Sequence, residues 1–162
     1  MQSPAQLPTG RYLLLFNRKE MDSTTLLKLS GLGQVVYCFV QDHVMFSRAS
    51  GWRNRDEIWS VVHDCEKGRY HLKIDGIAPL PLEEIHRRLV AEQEEAGGEK
   101  SDVDFIHDVP AKLAKALTGF PHDQDMPGMS GNVFGVLERA NKESLGSNSN
   151  ILGRFFGRKR DQ

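Results

Sequence analysis

Cysteine is scarce in this sequence, and long apolar segments are absent. Cys38 and Cys65 are the two cysteines among 162 residues, with no CxxC spacing, which argues against a disulfide framework. No apolar run, that of residues 12–16 included, approaches the roughly 20 residues of a membrane-spanning helix. Residues 1–10 show neither the basic nor the apolar region of a secretory signal. We therefore expect a cytoplasmic protein with buried, reduced thiols and no membrane span.

An excess of charge of either sign is lacking as well. The chain has 21 Lys and Arg against 22 Asp and Glu, a balance that gives no reason to expect nucleic acid as a partner. Hydrophobic residues make up 39% of the chain, which is typical of globular proteins, and the length suffices for one core. We expect a flexible N-terminus over residues 1–9, a single domain over residues 10–142 and a flexible basic and apolar tail over residues 143–162.

Several motifs that mark enzymes are missing from the sequence. It contains no GxGxxG, no Walker-type loop, no HExxH and no EF-hand spacing, so nucleotide, zinc-protease and calcium chemistry have no motif to support them. No cofactor is therefore predicted. The absences favour a protein that is not an enzyme and leave other enzyme classes open.

The pattern of apolar residues predicts an α+β fold with a mainly antiparallel sheet built from hairpins. Alternating β-branched and aromatic residues predict four strands that pair as two hairpins. These strands are residues 34–41, 44–48, 58–64 and 70–75. The bulky run at residues 11–16 predicts a further, buried strand in the centre of the sheet.

Helical spacing and terminal residues predict three helices and a weaker fourth. The first is a short helix that begins at Asp22 or Ser23 and ends at Gly31, and the others are residues 82–96, 109–118 and 133–142. Asp108 is the expected N-cap of the third helix and Gly119 its terminator. A short strand is expected at residues 103–106.

Three His-Asp dipeptides are the candidates for metal chemistry. They are His63-Asp64, His107-Asp108 and His122-Asp123. Phosphohydrolases of the HD type bind metal through such a dipeptide, together with other His and Asp ligands on a helical bundle. Here the context differs, because the pairs fall at a strand end, at turns or at a helix start. Ordinary roles suffice for the carboxylates, since Asp64 can open a turn, Asp108 can cap a helix and Asp123 can hold loop amides. A metal-dependent hydrolase is thus an alternative function, and no metal ligand is assigned.

Aromatic and basic residues concentrate in residues 48–56, which we predict to be a loop. Trp52, Arg53 and Arg55 are residue types that dominate protein-binding hot spots. A tryptophan that covers the edge of the core explains the same pattern. On the first interpretation these three residues contact a protein partner.

Residues 92–104 carry six acids against Lys100, with Gly97 and Gly98 in the middle. This composition is typical of a solvated helix end that runs into a loop. A carboxylate-rich loop can also enter the basic cleft of a protein partner by electrostatic complementarity. The candidate contacts are Glu94, Glu95, Glu99 and Asp102.

Six short stretches of the sequence carry a family resemblance. They are residues 59–64, the turn at Gly68, and residues 72–76, 85–89, 104–110 and 117–123. Over roughly residues 11–140 the chain resembles the small bacterial immunity proteins found beside secreted toxins. The resemblance implies a non-enzymatic cytoplasmic inhibitor, which binds its cognate toxin and blocks the active site or its entrance.

The end of the chain suggests another alternative function. Phe155, Phe156 and the basic residues 158–160 combine apolar and cationic side chains that can dock on a membrane surface or a large assembly. A regulatory or tethering domain with a docking tail is therefore the third hypothesis, after the toxin inhibitor and the hydrolase.

Overall fold

The computed structural model describes residues 5–6, 12–14 and 20–120. The described residues belong to two compact units, one with residues 5–6 and 12–14 and one with residues 20–120. In the first unit, β1 (Ala5–Gln6) pairs antiparallel with β2 (Tyr12–Leu13). Tyr12 is 67% exposed, so the prediction of a buried strand in the centre of a sheet is wrong at this position. An apolar run forms a buried strand only where a second layer covers it.

An antiparallel meander forms the centre of the second unit. Its strands lie side by side in chain order: β3 (Val35–Gln41), β4 (Phe46–Arg53), β5 (Asp56–Asp64) and β6 (Lys73–Gly76). Three helices accompany the sheet: α1 (Ser23–Ser30), α2 (Pro81–Glu95) and α3 (Val109–Thr118). The predicted α+β class with an antiparallel sheet built from hairpins is confirmed.

The alternation of side chains along the strands gives the sheet two apolar faces. On one face, Ala49, Trp59 and Val61 are buried beneath the second and third helices. Their partners lie in α2, in α3 and in the turn before α3, and those in the two helices recur at helical spacing. These partners are Leu82, Ile85, Leu89, Ile106, Val109, Leu113 and Ala114.

The opposite face is covered at one end by α1. Leu26 of this helix packs against Tyr37 and Trp52, and the Tyr37 hydroxyl accepts a hydrogen bond from the Met21 amide at 3.1 Å. Of the two N-caps that the sequence allows, Asp22 and Ser23, the structure uses the first, because the Asp22 carboxylate accepts the Thr25 amide at 2.9 Å and so caps the first turn.

Strand β4 is longer than the sequence predicts. The pair Ser50-Gly51 indicates a turn in sequence, whereas the strand continues through it to Arg53. Gly51 lies opposite Trp59, and the Trp59 indole occupies the space that a side chain at position 51 would fill. The chain reverses instead at Asn54 and Arg55, which both have positive φ, 53° and 67°, as a two-residue hairpin turn requires. The predicted loop at residues 48–56 is therefore wrong.

The segment before α3 also differs from the prediction. Residues 103–106 do not form a strand, and a single 3₁₀ turn at Ile106–Asp108 leads into the helix. Asp108 makes no side-chain cap; the Asp104 carboxylate accepts the amides of Ile106 and His107 instead, each at 3.1 Å. The predicted terminator is confirmed, since Gly119 adopts a positive φ of 75° after the last turn.

Among the described residues, no helix combines the length and the apolarity needed to cross a bilayer. The predicted helix at residues 133–142, the tail at residues 143–162 and the pair His122-Asp123 lie outside the described residues.

The two thiols are expected to react at very different rates. Cys38 packs against the core, and burial raises the pKa of its thiol to about 11, which suppresses the reactive thiolate at neutral pH. At about pH 8 we expect a maleimide to label Cys65 at least about tenfold faster than Cys38. Peptide mass spectrometry after timed labelling measures both rates. Equal labelling of the two thiols in the folded protein would contradict the burial of Cys38.

Candidate functional site

His63 lies at the centre of a buried polar cluster. The pleat of β5 turns this residue toward the helices, on the same face as Trp59 and Val61, and its side chain is fully buried. Nδ1 of the ring lies 2.8 Å from the backbone carbonyl oxygen of His71. Because a carbonyl oxygen only accepts hydrogen bonds, Nδ1 carries a proton.

Asp104 faces the other nitrogen of the His63 ring. Its Oδ2 lies 3.1 Å from His63 Nε2, and 3% of its side chain is exposed. Within the described residues, Nε2 has no hydrogen bond of good geometry, so this contact is electrostatic rather than a directed hydrogen bond. Burial lowers the pKa of His63, while the nearby Asp104 carboxylate acts in the opposite direction.

His107 completes the cluster from the 3₁₀ turn before α3. Its ring meets the His63 ring edge-on, with centroids 5.9 Å apart, and its Nε2 lies 3.3 Å from the Phe46 carbonyl oxygen. Its own carbonyl accepts the Ser47 hydroxyl at 2.6 Å. Since Ser47 and His63 are fully buried and His107 nearly so, the cluster ties the sheet to the helical layer and offers no opening to a substrate.

Of the two His-Asp dipeptides within the described residues, only the second brings its two side chains together, with His107 Nδ1 4.0 Å from Asp108 Oδ1. The Asp64 carboxylate pairs with Lys67 Nζ at 3.0 Å and accepts the Glu66 amide at 3.2 Å. Asp64 therefore opens the turn after β5, which is the structural role that the sequence allows for it. Asp108 pairs with Lys112 at 3.2 Å. Over residues 5–6, 12–14 and 20–120, no group of three or more His, Cys, Asp or Glu side chains could hold a metal ion.

The acidic stretch forms a loop that is anchored in the core by Gln93. This side chain is fully buried at the end of α2. Its Nε2 donates to the carbonyl oxygens of Gly98 at 2.7 Å and Val103 at 3.1 Å, and its Oε1 accepts the Phe105 amide at 2.8 Å. One side chain therefore satisfies three backbone groups of the loop that follows α2. We call residues 94–105, which include the last two residues of α2, the acidic loop.

The four predicted acidic contacts are all exposed. Glu94 and Glu95 end α2, and Glu99 and Asp102 lie farther along the acidic loop. Glu94 accepts the Tyr70 hydroxyl at 2.6 Å, a hydrogen bond that raises the pKa of Tyr70 to about 12. The remaining carboxylates project from a backbone whose position is fixed by Gln93.

Trp52 is placed differently from the predicted basic contacts beside it. Its indole is 7% exposed and donates to the Ser50 hydroxyl at 2.8 Å, so it covers the edge of the core. Arg53 and Arg55 are exposed at the end of the hairpin. Trp52 also borders a hollow of about 360 Å³, where the guanidinium of Arg48 is paired with Glu57 at 2.6 Å.

The β6 edge of the sheet is a second exposed feature. All four residues of this strand are exposed. The strand is the last in the sheet and is hydrogen-bonded to β5 along one of its edges. The loop that follows presents Ile77 at 85% and Leu80 at 97% exposure. Exposed apolar side chains beside an open strand edge are features of protein-binding surfaces.

Sequence reasoning missed the two residues that organise these features, Gln93 and Asp104. A signal for Gln93 exists, because it continues the buried stripe of Leu82, Ile85 and Leu89 at helical spacing. A polar residue on such a stripe must find hydrogen-bond partners inside the protein. Asp104 has no comparable signal, since in sequence it ends a run of solvated acids.

Comparison of the chain with protein-family models, with curated proteins and with solved structures finds no match.

Proposed function

We propose that this chain is a non-enzymatic protein-binding module, which inhibits a cognate bacterial toxin and uses the acidic loop as its contact surface. The observation that carries the proposal is the anchoring of the exposed carboxylates by the buried Gln93 side chain. A loop fixed before binding loses little conformational entropy when the partner docks.

The charge on this surface defines the partner's chemistry. Glu94, Glu95, Glu99 and Asp102 are exposed within a short stretch of chain, and Lys100 is the cation among them. Carboxylates held together speed the encounter with a positively charged surface and penalise approach to an acidic one. A toxin whose cleft is lined by Lys and Arg, as in an enzyme that acts on a polyanion, fits this surface.

Neutralising the acidic loop is expected to weaken binding without unfolding the protein. The test begins with a native pull-down of the tagged full-length chain from its host, with mass spectrometry of bound proteins. The partner is then titrated against a variant with Glu94→Gln, Glu95→Gln, Glu99→Gln and Asp102→Asn. We expect at least about a tenfold higher Kd and a weaker dependence of the association rate on salt.

A matched control changes the same number of charges elsewhere. Asp42, Asp56, Glu83 and Glu84 are exposed acids outside the loop, and their amide variant is expected to bind the partner as the wild type does. Equal binding by the wild type and the acidic-loop variant would refute the loop as the contact. If Ile77→Ser with Leu80→Ser abolishes binding instead, the contact surface is the β6 edge.

A further inference from the structure

Both nitrogens of the buried His63 ring face oxygen acceptors. Nδ1 lies 2.8 Å from the His71 carbonyl oxygen and Nε2 lies 3.1 Å from Asp104 Oδ2. The first contact fixes the proton of the neutral imidazole on Nδ1. In a neutral ring, Nε2 would then be unprotonated at 3.1 Å from a carboxylate oxygen, in a contact that lacks hydrogen-bond geometry.

We propose that the His63–Asp104 pair carries one proton besides the one on Nδ1 at neutral pH, and that this proton is a pH-sensitive latch on the acidic loop. The proton gives the pair a net charge of zero, whether it resides on the imidazole or on the carboxyl group. Without it, two unprotonated atoms face each other at 3.1 Å. With a second proton, the pair is positive.

Burial selects the state that carries one proton. The exposed fractions of the two side chains are 0% and 3%, and a site so far from water penalises any net charge. The one-proton state is the neutral one, so burial disfavours both gain and loss of a proton. The titration therefore belongs to the pair rather than to either residue.

The surroundings contain little charge that could offset this preference. From β4, Ser47 contributes a neutral hydroxyl that donates to the His107 carbonyl. From the 3₁₀ turn, His107 directs its ring edge at His63, and the loop after β5 contributes the His71 carbonyl. The Asp108 carboxylate of the same turn pairs with Lys112 at 3.2 Å, and its other oxygen lies 4.0 Å from His107 Nδ1.

The latch acts on the acidic loop because Asp104 lies near the end of that loop. Its Oδ1 accepts the amides of Ile106 and His107, while Oδ2 faces His63 on the sheet. Removing the proton replaces an attraction by a repulsion at the junction of loop and sheet. Alkaline pH is therefore expected to loosen the loop, whether or not the loop binds a toxin.

The Asp104→Asn variant tests the latch. An asparagine supplies an N–H to His63 Nε2 and an oxygen to the two amides without titrating. In the unfolded chain both groups are deprotonated above about pH 6.5, so the wild type takes up one proton on folding there. Because the folded state then binds more protons than the unfolded one, stability is lost as pH rises. Relative to Asp104→Asn, the unfolding constant of the wild type should rise up to about tenfold per pH unit.

Urea titrations of both full-length proteins between about pH 7 and about pH 9 measure this ratio. A ratio that does not change with pH overturns the proposal. If the variant does not fold, nuclear magnetic resonance of the wild type, labelled at nitrogen and carbon, tests the proposal by itself. At about pH 7.5, either the Nε2 nitrogen or the Asp104 carboxyl carbon should show a protonated shift. Unprotonated shifts for both overturn the latch.

Discussion

Replacing Gln93 with methionine is expected to lower the free energy of unfolding by about 3–5 kcal/mol. Methionine fills a similar volume but cannot donate to the Gly98 and Val103 carbonyls or accept the Phe105 amide. The Gly98 carbonyl and the Phe105 amide lose this partner, whereas the Val103 carbonyl keeps a hydrogen bond from Arg69 at 2.9 Å. Each buried backbone group that loses its partner costs about 1–3 kcal/mol, reduced where water can reach it. Urea denaturation of the wild type and variant measures the difference.

A matched control for this prediction lies two residues away. Glu95 is exposed on the same helix, so Glu95→Met is expected to change stability by about 0.5 kcal/mol or less. Hydrogen exchange gives a local readout, because the Phe105 amide should exchange faster in Gln93→Met. Similar small losses in both variants, with unchanged exchange at Phe105, would show that Gln93 does not anchor the acidic loop.

Gly51→Ala is expected to lower the free energy of unfolding by about 2–4 kcal/mol. A Cβ at position 51 would overlap Nε1 and Cε2 of the Trp59 indole, which lies across the strand at this residue. Trp59 is part of the main core, so its displacement also disturbs the helices above it. Thermal and urea denaturation measure the loss.

A second glycine serves as the control, because an added Cβ at Gly33 meets nothing within 4 Å. Gly33→Ala is expected to change stability by about 1 kcal/mol or less, and to increase it where the backbone fits alanine. Trp59→Phe should also reduce the cost of Gly51→Ala, since a smaller ring leaves room for the methyl group. Additive losses in the double variant would exclude the overlap as the cause.

The hairpins and helices could be predicted because their signals are local. Two strands of alternating residues around Gly68 predict β5 and β6, and the apolar stripe of Leu82, Ile85 and Leu89 predicts α2. Such patterns depend on the period of the backbone itself, which the structure preserves. The predicted end of β4 was wrong because Gly51 is not a turn residue. It lies inside the strand and leaves room for the Trp59 indole of the neighbouring strand.

The candidate site could be predicted only in part. The exposed acids 94, 95, 99 and 102 were identified by composition, and their exposure follows from the cost of burying a charge. The anchoring of their loop by Gln93 could not be predicted, because the backbone groups that Gln93 binds lie five to twelve residues farther along the chain. The sequence predicts a loop around Trp52, whereas β4 extends through this residue and places its side chain in the smaller core cluster.

The sequence by itself determined the α+β class, the two hairpins and the helices that cover them. Hydrophobic periodicity and turn residues act within a few positions of the chain. Only the tertiary structure decided that His63, His107 and Asp104 meet in a closed cluster, while Asp64 and Asp108 pair with lysines. The physical reason is that neighbouring residues diverge by the geometry of strand and turn, whereas residues far apart in sequence are brought together by packing of the helices on the sheet.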